Sequence, residues 1–314
     1  MIASLVHATL ALGLAFAGPR GYAGPTDVVA PTLAGGGASV EPPPPRPAAS
    51  PRGRHSRQRV PDFGRVRARW ALDATITAGA GIPVLVLNRW VGPQLARPAL
   101  PTDPPELGRV DAIASGRYDP RVSTASDVMV AVAIAAAPLV SLVDGHWAAQ
   151  SAAPSARRRA FAKKWGTAVL VEAEAVAIAG LVTNVMKHAI GRPRPYTTLA
   201  EADVAARDRD ELAHDLRAAD RSHSFPSGHS TLAFAAVTSL ATVLTLDAPP
   251  TRRAKVAIAL AWSLGLLTAG TTAALRVVAG KHYPSDIVAG SAIGAAVGVA
   301  TPLLHARRRL LRFK

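Results

Sequence analysis

The sequence contains no cysteine, which excludes disulfide scaffolds, thiolate zinc sites and cysteine nucleophiles. Aromatic residues make up only 5% of the 314 positions, so the apolar mass is carried by Ala, Val and Leu. Alternation with a period of two is missing throughout, which argues against strands. No segment repeats at a fixed interval, which argues against solenoids and propellers. Acidic residues are few: 21 Asp and Glu stand against 36 Lys and Arg, a formal charge of +15. Such an excess points to a polyanion, whether nucleic acid, anionic lipid or phosphate. Of the basic residues 30 are Arg, whose planar fork suits phosphate.

Apolar residues account for 49% of the chain, ample to offset ordering entropy over most of its length. Residues 1–17 are apolar and end in Ala15-Phe16-Ala17, the pattern of a cleaved signal peptide, with an uncleaved apolar anchor as the other reading. Residues 18–69 hold Gly35-Gly36-Gly37, four prolines from Pro42 to Pro45 and a run of Arg from Arg52 onward. This composition predicts a disordered Pro/Arg-rich linker. The linker lacks interleaved aromatics and any nucleic-acid-binding motif, so no nucleic-acid partner is expected.

A helical domain is expected over 70–306, followed by a basic tail at 307–314. Apolar segments fall at 70–88, 126–143, 165–187, 227–246, 254–275 and 284–304, each close to the roughly 20 residues that cross a bilayer as helix. The expected fold is therefore all-α, a six-helix bundle that spans a membrane, with a soluble helical bundle of Ala-rich core helices as the other reading. Pro83 and Pro138 fall inside segments and are expected to kink or end them. Segment 165–187 carries Glu172 and Glu174, and a carboxylate at mid-bilayer costs about 2.5–3.5 kcal/mol. Structural roles are expected for both, paired with Arg from a neighbouring helix.

Basic clusters occupy alternate gaps: 52–69, Arg157 to Lys164, Arg252 to Lys255, and Arg307 to Lys314. The positive-inside rule then puts both ends in the cytoplasm and the gaps 188–226 and 276–283 on the periplasmic or exterior side. A cleaved signal would instead place residue 18 outside, so these two expectations exclude one another. A secreted or periplasmic membrane-associated protein is the alternative localisation.

Three polar clusters fall in the two outward gaps. Lys187 to Pro195 ends the third segment, Ser224 to His229 opens the fourth, and Arg276 to Asp286 leads into the sixth. Lys187, Arg194 and Arg276 bring three cations from separate helix ends, a set that suits a phosphate dianion. Pro226-Ser227-Gly228 precedes a helix, whose first N–H groups and dipole favour an anion. Pro284 suits a first helical turn, setting His282 just before the helix and Asp286 within it. Asp286 is then expected to accept the Nδ1–H of His282, leaving Nε2 as a nucleophile. His229 can protonate the leaving oxygen. No metal or other cofactor is needed for this chemistry, and no carboxylate- or His-rich cluster is visible along the sequence.

These motifs resemble the type 2 phosphatidic acid phosphatase (PAP2) superfamily, with its K-x6-R-P, P-S-G-H and S-R-x5-H-x3-D signatures. Lys187 with Arg194-Pro195, Pro226 to His229, and Arg276 with His282 and Asp286 supply the matches. Leu275 stands where the family usually has Ser. The resemblance implies a phosphohistidine on His282, His229 as general acid, and Asp286 orienting His282. It also implies phosphate binding by Lys187, Arg194, Ser227, Gly228, His229 and Arg276. The implied activity is a hydrolase acting on a lipid phosphate monoester or an isoprenoid or lipid diphosphate, with that substrate and the membrane as partners. A vanadium-dependent haloperoxidase, using the same pocket for vanadate, and a non-catalytic lipid or anion binder are the alternatives.

Overall fold

The computed structural model describes residues 65–86 and 107–306; the expected signal peptide or anchor, most of the linker and the basic tail lie outside them. Seven helices make up the described residues, with short 3-10 turns between them and no strand. They are α1 (Trp70–Val86), α2 (Pro120–Gln150), α3 (Arg157–Ile190), α4 (Arg209–Arg217), α5 (Gly228–Asp247), α6 (Arg252–Val278) and α7 (Pro284–Leu304). Five of them, α2, α3, α5, α6 and α7, are long and apolar enough to cross a membrane, and α1 is a shorter apolar helix. The expected all-α bundle with six apolar helices is what forms.

The boundaries follow local chemistry. Asp119 caps α2 by accepting from the N–H groups of Arg121 and Val122, and Pro120 occupies the first helical position. This puts the start of α2 six residues before the expected one. Pro83 and Pro138 do not end their helices. The Pro138 carbonyl accepts from Trp165 Nε1 at 3.0 Å, fastening α2 to α3. Gly191 ends α3 in the left-handed region, φ 64°, and donates to the Lys187 carbonyl at 3.0 Å. The connection at 199–222 folds around α4, whose Leu212 is buried with Tyr196 and Val204.

Helix α5 is the most enclosed of the long helices and α6 the least. Exposed Leu260, Leu264 and Leu267 of α6, with Val128, Val132, Leu139 and Val143 of α2, give the bundle an apolar exterior. That exterior suits hydrocarbon rather than water, as expected of a membrane protein. Within a bilayer the helices gain little from apolar burial and associate through close packing of small residues. Gly290, Gly294 and Gly298 line α7 against α5. A Cβ at Gly290 would lie 2.6 Å from the Ser227 carbonyl oxygen, and one at Gly298 would lie 2.6 Å from that of Ala235. Only a bare glycine admits this backbone approach. It sets the first turn of α7 beside the first turn of α5, where Ser227 N–H donates to the Asp286 carbonyl at 3.0 Å.

The two carboxylates of α3 have partners other than the expected Arg. Glu172 accepts from Ser141 Oγ of α2 at 2.6 Å. Glu174 faces His305, at 3.3 Å, just beyond α7.

Candidate active site

The three sequence clusters meet at one end of the bundle, because each sits at a helix terminus and the termini are laced together through backbone. Ser224 N–H donates to the Arg192 carbonyl at 2.9 Å, and Arg194 N–H to the Arg221 carbonyl at 2.9 Å. The turn after α6 passes through Gly280, whose φ of 68° belongs to the left-handed region. That turn folds back so that Lys281 and His282 N–H groups donate to the Arg276 carbonyl at 3.0 and 3.2 Å. His282 is thereby fixed to the same turn of backbone as Arg276.

His282 is fully buried. Its pKa lies well below the usual imidazole value, first because burial disfavours the charged ring, then because Arg194, Lys187, Arg276 and His229 are close. The ring is therefore neutral, the state a nucleophile needs. Its Nδ1 lies 3.5 Å from Asp286 Oδ2, an electrostatic approach longer than a good hydrogen bond. Here the expected Nδ1–H contact is not made. The Asp286 carboxylate is taken by other donors: Ser224 Oγ at 2.5 Å and Tyr283 N–H at 2.8 Å on Oδ2, and Arg192 Nη1 at 2.7 Å on Oδ1.

The cations are braced individually. Arg194 donates to the Asp220 carbonyl and carboxylate, at 2.9 and 2.7 Å, and to the Lys281 carbonyl at 3.2 Å. Lys187 Nζ donates to the His223 carbonyl at 2.6 Å. A Cβ added at Gly228 would lie 3.7 Å from Lys187 Cε, so the lysine stem runs beside the start of α5. Arg276 Nη1 donates to Ser123 and Ser126 of α2 at 3.0 and 2.9 Å. These hydroxyls come from another helix, whereas position 275 is Leu. Ser227 caps α5; its oxygen accepts from the Ser230 N–H and hydroxyl at 3.5 and 3.1 Å. Arg276 Nε and both ring nitrogens of His282 are buried and make no hydrogen bond. A buried guanidinium edge and an unbonded imidazole beside further cations suit an anion.

Three residues escape sequence reasoning. Asp127 of α2 places Oδ1 2.6 Å from His229 Nε2 and 3.3 Å from Arg276 Nη1. Its signal was a lone acid in an apolar span, a position that is costly without a role. Arg192 reads from sequence as a solvated residue beside Arg194. It bridges Asp286 and Asp111, at 2.7 and 2.8 Å, and packs 4.1 Å from the Tyr283 ring centroid. Asp111 also accepts from the Ser285 N–H and hydroxyl at 2.9 and 2.7 Å. Burial raises its pKa, but the bonds from Arg192 and Ser285 outweigh this and hold the carboxyl below its ordinary value. Nothing in the sequence separates Asp111 from other loop acids.

Lys281 is bonded to Asp215 of α4 and lies 5.0 and 4.9 Å from the ring centroids of Tyr118 and Tyr196. Burial lowers its pKa. This cluster roofs the His282 turn with the 199–222 connection.

Part of the chain is similar to known proteins. Residues 168–310 match the family model described as the PAP2 superfamily. The chain is 36% identical over 141 residues to a lipid A 1-phosphatase of Rhizobium johnstonii, covering 43% of this chain and 47% of that protein. A lipid A 1-phosphatase of Rhizobium etli is 34% identical over 141 residues, with 43% and 50% covered. One from Porphyromonas gingivalis is 29% identical over 136 residues, covering 43% of this chain and 23% of that protein. The chain thus spans about half the length of the Rhizobium relatives it matches.

Proposed function

We infer from the match of residues 168–310 to the PAP2 superfamily model that the chain is a membrane phosphatase of that family, acting on a lipid phosphate. One observation carries the reading: a neutral, buried His282 with unbonded ring nitrogens, held within the field of Lys187, Arg194 and Arg276. A phosphoryl group is the small ligand that meets both the nucleophile and the cations.

In the proposed reaction His282 Nε2 attacks phosphorus, since Nδ1 is directed at Asp286. Lys187, Arg194 and Arg276 offset the charge that develops on the transferring oxygens. The N–H groups opening α5 at Gly228 add the positive end of the helix dipole, and Ser227 holds that end in place. The P–O bond to the lipid breaks as His229 gives its proton to the leaving oxygen. Asp127 accepts from His229 Nε2 and favours the imidazolium form, whose Nδ1–H is the proton transferred. Water then attacks the phosphohistidine, His229 takes the water's proton, and inorganic phosphate leaves with His282 restored. Asp286, 3.5 Å from Nδ1, balances the charge of the ring in the intermediate.

The names of the relatives make lipid A 1-phosphate the first substrate to test, ahead of phosphatidate, phosphatidylglycerophosphate and undecaprenyl diphosphate. Orientation follows from charge. Arg157 to Arg159 and Lys163 open α3, and Arg252, Arg253 and Lys255 open α6, at the ends opposite Lys187 and Arg276. This distribution supports a pocket facing the periplasm or exterior. The test is phosphate release from the four lipids by wild type and His282→Ala in detergent micelles. Release that disappears in the variant is expected. No release from any of the four, or release that survives in the variant, overturns the reading. A reporter fused to the C-terminus, active only in the cytoplasm, tests the orientation.

A further inference from the structure

At the far end of α7, Asp73 of α1, Glu174 of α3 and His305 come together from three separate stretches of chain, all buried. His305 Nε2 is 3.2 Å from Asp73 Oδ2 and 3.3 Å from Glu174 Oε2. At roughly 1.5 Å per residue along α7, this cluster lies roughly 28 Å from Asp286, so it is no part of the phosphate pocket.

The orientation of the imidazole is fixed from behind. His305 Nδ1 pairs with the Thr301 carbonyl at 2.8 Å, which makes Nδ1 the protonated nitrogen and aims Nε2 at the carboxylates. Nε2 makes no hydrogen bond to either, despite the short separations, and Glu174 Oε2 and Asp73 Oδ1 also make none. Three buried donor atoms therefore converge without bonding one another. Their spacing matches the edge of a tetrahedral zinc shell, about 3.3 Å for ligand bonds of 2.0–2.2 Å. An imidazole whose other nitrogen donates to a backbone carbonyl is also the usual arrangement of a metal ligand.

Charge points the same way. With both carboxylates ionised and the imidazole neutral, as in a metal-bound set, the cluster carries two negative charges inside the bundle. Arg69 Nε is 3.9 Å from Asp73 Oδ1 but its side chain is 73% exposed, so water screens it. The Arg69 N–H donates to Asp73 Oδ2 at 2.6 Å, a bond that orients the carboxylate without neutralising it. A divalent cation would offset that charge.

We propose that Asp73, Glu174 and His305 form a binding site for a divalent transition-metal ion of the zinc type, which clamps α1 and the end of α7 to α3. The role is structural, since binding energy at a site built from distant residues is folding energy.

The test uses the full chain without a histidine tag, purified in detergent and stripped with a chelator. Co2+ is titrated in, followed by its visible d–d absorption and by metal analysis after dialysis. One equivalent of Co2+, displaced by Zn2+, is expected, with a thermal midpoint that rises with Zn2+ concentration. Asp73→Asn and His305→Gln should each weaken uptake at least tenfold. X-ray absorption on the Zn2+-loaded wild type needs no variant and should show one imidazole nitrogen with oxygen ligands. Failure of the wild type to take up a stoichiometric ion overturns the proposal. So does uptake unchanged in both variants, or a first shell without imidazole.

Discussion

Arg192 Nη1 meets Asp286 Oδ1 at 2.7 Å, joining the segment that leaves α3 to the first turn of α7. The other end of the guanidinium holds Asp111 at 2.8 Å. In the proposed reaction Arg192 would be a positioning residue that acts on His282 through Asp286. Arg192→Ala is expected to lower kcat by about 10²-fold, the scale of a small misplacement of a reacting group. KM should change little, and Arg192→Lys should recover only part of the loss, because one ammonium cannot fork to two carboxylates. Steady-state phosphate release measures both. A rise in KM with kcat unchanged would mean that Arg192 binds substrate directly.

Asp127 and His229 should act as a unit. Asp127→Asn and His229→Ala are each expected to slow release from a lipid phosphate by about 10²–10⁴-fold, the usual contribution of a general acid. The loss should shrink with p-nitrophenyl phosphate, whose leaving group needs no proton. Equal losses on the two substrates would show that the pair does not supply that proton.

The acid side of the pH profile follows from His282. Burial, reinforced by Arg194, Lys187 and Arg276, pushes its pKa well below the usual 6.5. The proposed nucleophile should therefore stay neutral as pH falls through 6.5, and the acid limb of kcat/KM assigned to it should lie below that value. Arg194→Gln removes one of the nearby charges and should move that limb upward. Stability carries the same sign. The unfolded ring takes up a proton near pH 6.5 and the folded ring does not. The contribution of this group is therefore complete above about 6.5 and is lost as pH falls from there toward the folded value. Thermal inactivation at pH 7 and pH 5 follows it.

The glycine seam between α5 and α7 should tolerate no side chain. Gly298→Ala brings a Cβ to 2.6 Å from the Ala235 carbonyl oxygen and is expected to destabilise the bundle by about 1–3 kcal/mol. Gly290→Ala presses instead on the Ser227 carbonyl and should depress kcat as well. Residual activity after heating in detergent separates the two. Stability unchanged in Gly298→Ala would mean the helices part easily.

Much of this was legible in the sequence. Gly191 and Pro284 marked helix ends, and the polar motifs stood out against Ala-rich spans, so Lys187, Arg194, His229, Arg276 and His282 could be named. The start of α2 was also written there, as Asp119 before Pro120, but the apolar run begins only later and drew attention from the cap. The supports were harder to read. Asp127, Arg192 and Asp111 act through contacts with residues 81 to 149 positions away, and linear spacing carries no trace of such contacts. Asp73, Glu174 and His305 were hidden for the same reason: each alone looks like a stray polar group. The length of the His282–Asp286 approach depends on how many other donors claim that carboxylate, which spacing within one motif cannot reveal.

The backbone contact between α5 and α7 has a mechanical consequence. Helices that touch through main chain slide and tilt together, whereas those separated by side chains can shear. When the surrounding lipid thins or thickens, α5 and α7 should move as one body, and α6 can take up the strain only at the end away from Arg276 and the His282 turn. The gap between the two histidine rings is then insulated from it, so turnover should depend only weakly on acyl-chain length.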